Sequence, residues 1–242
     1  MLILALDTTT RAGSVAVARD DTVIAVIEGD RTRSHGERLP AEVEQALTRA
    51  KIRAVELDLL AVASGPGAFT GLRIGLAAIQ GLAMVLEIDV VGVSALDALA
   101  FSIWPQLPSP RETLLVAWMD AQRGEVFSAT YIASLDDSEL EWTRATEPIV
   151  GDPATIVEDV ARQHGKVVFT GGGAATYRAQ IDAGSNGRRW PVMNEPAVLA
   201  PAIAQLGRRL AARGAAGPPH ALQPLYVRRP DAELERLRRS QS

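Results

Sequence analysis

Short apolar runs and helically spaced apolar positions take turns along this chain. Residues 2–6 (LILAL) are apolar without a break and stop at Asp7, which reads as a buried strand. A small polar turn over 8–13 follows. Residues 14–19 alternate as a second strand, and 22–27 make a third after the Asp20-Asp21 turn. Leu39, Val43, Ala46, Leu47 and Ala50 recur at helical spacing and predict a helix over 38–50. A strand over 57–63, a helix over 72–86 and a strand over 90–93 come next. A helix over 95–103 then begins behind Ser94, whose hydroxyl suits an N-cap.

The stretch 104–111, WPQLPSPR, holds three prolines and is the best domain boundary in the chain. Beyond it the opening pattern returns. Residues 114–119 are apolar and end at Asp120. A polar turn with Gly124 leads into an alternating strand through Val126, Ser128 and Tyr131. LILALDTTTRAGSVAVA and LLVAWMDAQRGEVFSATY thus share one plan, an apolar strand ending in Asp and a turn into an outgoing strand. Two such openings predict two lobes, 1–103 and 104–224, with a terminal helix at about 225–242 packing back on the first. In the second half, Asp152 caps a helix that has Pro153 at its first position and Gly165 at its end. A strand over 166–169 runs into Thr170-Gly171-Gly172-Gly173. A helix over 199–213, a linker over 214–224 and a short helix over 232–239 close the chain. Helices separate several of the strands, so the class is α/β.

The segment SGPGAFTGLRIGLAAIQGLA, residues 64–83, carries five glycines across a strand–turn–helix junction. A glycine inside a helix costs about 1 kcal/mol relative to alanine. Gly71 and Gly75 therefore need a reason. A phosphate cradle at the helix N-terminus is one, and a close packing neighbour is the other. The segment lacks the Lys-Ser/Thr pair of a P-loop and the third glycine of a dinucleotide fingerprint. Gly71 and Gly75 lie four apart on one helical face, which favours packing. Arg73 and Gln80 interrupt this apolar helix and suit the rim of a contact.

Composition narrows the field. With 47% hydrophobic and 22% charged residues the chain has the makings of a sizeable core. A net charge of −4 argues against a wholesale nucleic-acid binder. The arginines at 228, 229, 236, 238 and 239 are a local exception, read as a solvated helix end interleaved with acids or as an RNA contact. The absence of cysteine removes disulfides and thiolate chemistry and suits a reducing cytoplasm. The first residues are expected to be a strand and not a signal peptide, and no apolar stretch is expected to span a membrane.

Asp7 and Asp120, each at the end of an apolar strand, could hold magnesium and phosphate between two lobes, or could cap their own turns. Spacing alone favours the turns. The glycines at 171–173 would let a ligand approach the backbone, or would make a tight connection. His35, His164 and His220 lie at no metal-ligand spacing. His35, in SHGERLP, suits a helix-entry or interface role better than catalysis.

Taken together, LALDTTTRAGSVAV, SHGERLP, GPGAFTGLRIG, MDAQRGEVF and PLYVR resemble the TsaB family across the whole chain. The resemblance implies the two-lobed actin-like, ribonuclease H-like duplicated fold. It also implies a non-catalytic subunit of the bacterial apparatus that makes N6-threonylcarbamoyladenosine (t6A) beside the tRNA anticodon. The implied partners are a TsaD-type catalytic paralogue and a TsaE-type ATPase. tRNA would be met through the complex, no membrane is involved, and a homodimer is open to the chain alone. The interface it implies uses Arg38, Leu39, Phe69, Gly71, Leu72, Arg73, Gly75, Leu76, Ile79 and Gln80. Asp7, Thr8, Asp120, Gly171 and Gly172 would be a vestigial nucleotide site, with no cofactor of the chain's own and ATP or ADP at the partner interface. Asp7-Thr8-Thr9-Thr10 lacks the glycine usual in nucleotide-using members of the fold, which weakens the alternative of an active ATPase or kinase.

Overall fold

A computed structural model describes residues 1–133, 142–163, 165–194 and 198–228. The first sheet has the order β3(Thr22–Glu28), β2(Ser14–Arg19), β1(Leu2–Asp7), β4(Leu59–Gly65), β5(Val90–Ser94). β1 pairs antiparallel with β2 and parallel with β4. The second sheet repeats this plan. β6(Thr113–Asp120) takes the place of β1 and pairs antiparallel with β7(Val126–Ala133). On its other side β6 pairs parallel with β10(Lys166–Thr170), which pairs with β11(Val192–Met193). The place of β3 is taken by two short strands, β8(Trp142–Arg144) and β9(Ile149–Gly151), each on a different part of β7. The duplicated openings are thus duplicated sheets, and the molecule is a two-lobed α/β structure of the actin-like kind. β1, β4 and β6 read as unbroken apolar runs because both faces of their sheets are covered.

Helix α1(His35–Ala50) and helix α2(Phe69–Leu86) lie on one side of the first sheet, where Leu39, Ala46, Leu72, Leu76, Ile79 and Ala83 close a core over Leu4, Leu6, Leu60 and Val62. The other face of that sheet joins a larger core shared by both lobes. Helix α3(Ala95–Ile103) sits in this shared layer, capped as expected by Ser94, whose Oγ accepts from the Asp97 amide. In the second lobe α4(Pro153–Gln163) starts behind Asp152, whose Oδ1 accepts from the Thr155 amide at 2.9 Å. Two short helices, α5(Gly172–Thr176) and α6(Arg178–Gly184), follow β10, so the glycines at 171–173 make a tight strand–helix connection, one of the two readings the sequence allowed.

The lobe boundary differs from the expected 104–224. Helix α7(Ala200–Ala212) returns to the first lobe, packing on β1, β2 and β4. The Ala200 amide donates to Ser14 Oγ at 3.1 Å, Arg208 pairs with Asp21, and Gly207 lets the helix lie against Ala61. Helical periodicity shows that α7 has an apolar face but not which sheet receives it. The proline-rich stretch after α3 is also no free linker, since Trp104 and Leu107 are buried in the shared core. Residues 222–228 form no helix where a terminal helix from about 225 was expected, and the helix predicted over 232–239 lies outside the described residues.

Candidate functional site: the cleft and the two faces of helix α2

The C-terminal ends of β1 and β6 face each other across a cleft of about 760 Å³. Its lining includes Thr9, Thr10 and Arg11 from the first turn, Asp120 to Arg123 from the second, and the N-terminal end of α2. Gly172 also lines it, whereas Asp7 and Thr8 lie buried behind. The two aspartates are engaged by their own turns. Asp7 Oδ1 accepts from the Thr9 amide and hydroxyl at 2.8 and 2.6 Å, and its Oδ2 from the Thr10 hydroxyl at 2.8 Å. Asp120 accepts from the Gln122 amide at 2.8 Å and side chain at 3.0 Å. Gly171, at φ +101°, is where the chain passes so near β6 that a Cβ would strike the Trp118 carbonyl oxygen. Its glycine serves chain packing.

Helix α2 has two unlike faces. On the inner one, a Cβ at Gly71 would strike the Thr8 carbonyl oxygen, and one at Gly75 the Thr8 hydroxyl. The two glycines are a notch for the chain's own Asp7-Thr8 turn. Leu72, Leu76 and Ile79 are buried beside them. So Gly71, Leu72, Gly75, Leu76 and Ile79, expected at a partner interface, belong to the interior. On the outer face, Thr70, Ala77, Ala78 and Gly81 are exposed, and Met84 and Val85 are 70% and 79% exposed. Among the described residues, a Cβ at Gly81 would meet no atom within 4 Å.

Helix α1 tells the same story. Leu39 is buried in the core. Arg38 is buried too, and it is tied on several sides. Its Nη1 donates to Glu42 Oε1 at 2.6 Å, its Nη2 to the Ala12 carbonyl and to His35 Nδ1 at 2.7 Å. A guanidinium only donates, so His35 Nδ1 accepts there and Nε2 donates to the Thr10 carbonyl at 3.1 Å. Burial first, and then the Arg38 charge, lower the pKa of His35 below its usual 6.5. Neither Arg38 nor Leu39 is placed to meet a partner. Both secure α1 to the first turn.

A strap formed by 222–228 closes one side of the cleft. Leu225 donates its amide to the Ser64 carbonyl at 2.7 Å in the first lobe. Gly65, at φ +121°, makes room for it, since a Cβ there would come within 2.6 Å of the Leu225 carbonyl oxygen. Tyr226 lies on Phe69 with ring centroids 5.4 Å apart. In the second lobe Arg228 donates to the Ala121 carbonyl at 2.7 Å and pairs with Glu125.

The comparisons with known proteins agree with this architecture. The family model of tRNA N6-adenosine threonylcarbamoyltransferase matches residues 26–213. The tRNA threonylcarbamoyladenosine biosynthesis protein TsaB of Escherichia coli is 32% identical over 94% of this chain and 95% of its own length. The chain belongs to the TsaB family. TsaB of Bacillus subtilis is 34% identical over 54% of this chain and 55% of its own length. Among solved structures, YeaZ from Pseudomonas aeruginosa is 27% identical with a TM-score of 0.73, covering 93% of this chain and all but 1% of that one.

In this TsaB-family chain Arg73 and Gln80 of α2 have partners of their own. Arg73 Nε donates to the Tyr226 hydroxyl at 3.3 Å and its guanidinium lies 3.9 Å from the centre of the Phe69 ring. Gln80 donates to the carbonyl oxygens of Pro219 at 2.8 Å and Leu222 at 3.4 Å. They hold the C-terminal segment, and no sequence periodicity could pair residues so far apart. The expectation of no membrane-length apolar stretch also fails at α2, which reaches 18 residues with a mean hydropathy of 1.6. Its inner face nevertheless packs on β4. Sequence reasoning missed the cleft roles of Arg11, Phe127 and Tyr226. PLYVR, residues 224–228, was the one signal that pointed to the strap.

Proposed function

We propose that this chain, as a TsaB-family member, works in tRNA threonylcarbamoyladenosine biosynthesis as a non-catalytic scaffold subunit. Its partner is a TsaD-type catalytic paralogue, seated on the outer face of α2. The observation that carries the reading is that face: a contiguous run of small and apolar side chains on a helix whose other face is packed, with none of the described residues over it. Small residues let a second helix come close, and Met84 and Val85 supply the area to bury. Homodimers of the chain alone would use the same face. Two further features favour a supporting role over ATP hydrolysis. The oxygens of Asp7 are engaged by Thr9 and Thr10, and those of Asp120 by Gln122. On this reading ATP or ADP acts at the partner interface, a TsaE-type ATPase joins the pair, tRNA is met through the complex, and the work is done in the cytoplasm.

The test is size-exclusion chromatography and calorimetry of the full chain with the TsaD-type paralogue of its own organism. The pair is expected to co-elute, and the double variant Met84→Asp, Val85→Asp is expected to elute apart while keeping its melting temperature. Undiminished binding by the double variant would remove α2 as the contact. Turnover of Mg-ATP by the isolated chain, lost in Asp7→Asn, would favour the ATPase reading instead.

A further inference from the structure

The interlobe cleft retains the volume of a ligand site after its two aspartates have been turned to other work. At about 760 Å³ it falls within the range of small-molecule pockets, about 300–1,000 Å³. Its walls are largely apolar: Leu72, Leu99, Met119, Phe127 and Leu199 line it from both lobes, and Tyr226 from the strap. Guanidinium groups line it from both lobes, Arg11, Arg73, Arg123 and Arg228, the last of them paired with Glu125, and the one carboxylate among the lining residues is Asp120, which accepts two bonds from Gln122. Arg73 and Arg228 lie over the Phe69 and Phe127 rings, so guanidinium charge is set directly beside flat apolar surface.

We propose that this cleft binds a small organic anion, a carboxylate, sulfonate or monophosphate group carried on a flat apolar body, and that it does not take a magnesium nucleoside triphosphate. The apolar body would lie between Phe127 and Tyr226, and the anionic group would face Arg11 at the exposed rim. Electrostatic attraction in a partly enclosed, low-dielectric cleft is stronger than at an open surface. Magnesium triphosphate has no such welcome. The lining holds no lysine, and Asp7 lies buried behind it, accepting three hydroxyl or amide donors of its own turn. The strap makes the site a shared property of both lobes, because Tyr226 is held between the Leu225 amide bond to Ser64 and the Arg228 bonds to the second lobe.

Anilinonaphthalene sulfonate, an aromatic anion, is the probe. Titrated into the full chain and followed by fluorescence and calorimetry, it is expected to fill one saturable site. Arg11→Glu and Tyr226→Ala, both at exposed positions, should each weaken binding about tenfold or more. Met84→Asp with Val85→Asp should leave it unchanged, which separates the cleft from the apolar face of α2. Adding magnesium should give ATP no advantage in displacing the probe. The proposal falls if no saturable site exists, if both cleft variants bind as the parent does, if the α2 variant loses the probe, or if magnesium sharpens competition by ATP. Should Tyr226→Ala not fold, Arg11→Glu alone decides the matter. None of these outcomes touches the scaffold reading, which rests on partner binding at α2.

Discussion

The inner and outer faces of α2 carry the same residue type for opposite reasons. Gly71 and Gly75 face inward, where the Asp7-Thr8 turn leaves no space for a methyl group. Gly81 faces outward, where a Cβ would meet none of the described residues within 4 Å. The inner glycines are fixed by the fold of one chain. The outer one costs the helix about 1 kcal/mol with no packing return from the described residues. A glycine in a helix is therefore not evidence of a partner until its neighbours are known, and in this helix only the third qualifies.

The strongest way to break the comparison is to fill the inner notch. Gly75→Leu should destabilise the monomer by about 4 kcal/mol, because the new side chain would meet the buried Thr8 and could not move it without displacing β1. Urea denaturation would show it, and an unchanged midpoint would mean that the notch is not filled by the Thr8 turn. The next largest effect should come from the outer face. Met84→Asp with Val85→Asp should weaken partner binding about 100-fold or more at unchanged stability, since two carboxylates would have to be desolvated in the contact. Loss of stability in that variant, measured by the same urea titration, would show that the outer face is covered within the monomer.

A smaller effect separates the two faces within one residue type. Gly81→Ala should raise the stability of the monomer by up to about 1 kcal/mol, because Gly81 has a negative φ and empty surroundings. If a partner helix packs there, the same change should weaken the complex. Stabilisation with undiminished binding would place the partner elsewhere on α2.

Much of this was legible in the sequence because it was local. The runs 2–6 and 114–119, each ending in Asp, gave the duplicated sheets, and Ser94 and Asp152 gave two helix starts. What was not legible was pairing at long range. The spacing of Gly71 and Gly75 places them on one face of a helix but does not say that Thr8 lies against it. Arg73 and Gln80 look like an exposed rim by periodicity, yet their partners are Tyr226, Pro219 and Leu222, far along the chain. The predicted nucleotide residues divided in the same way. Asp120 and Gly172 reach the cleft, whereas Asp7, Thr8 and Gly171 serve the packing around it.

The least effect, and the one most specific to the inner face, concerns His35. Its ring lies against both glycine positions of this seam, Gly13 and Gly71, and links α1 to the first turn through Arg38 and the Thr10 carbonyl. Asp7 and Glu42 favour its charge, but burial and Arg38 oppose it more strongly, so the folded pKa lies below the unfolded 6.5. The unfolded chain then binds the proton more readily. The contribution of the neutral ring is complete above about pH 6.5 and is lost as pH falls from there through the folded value. His35→Gln keeps a donor toward Thr10 and removes the titration. Stability measured from pH 7.5 to pH 5 should therefore fall less steeply in His35→Gln than in the parent. Equal slopes would mean that His35 accepts its proton without disturbing Arg38, and the seam would then be held by Arg38 and Glu42 alone.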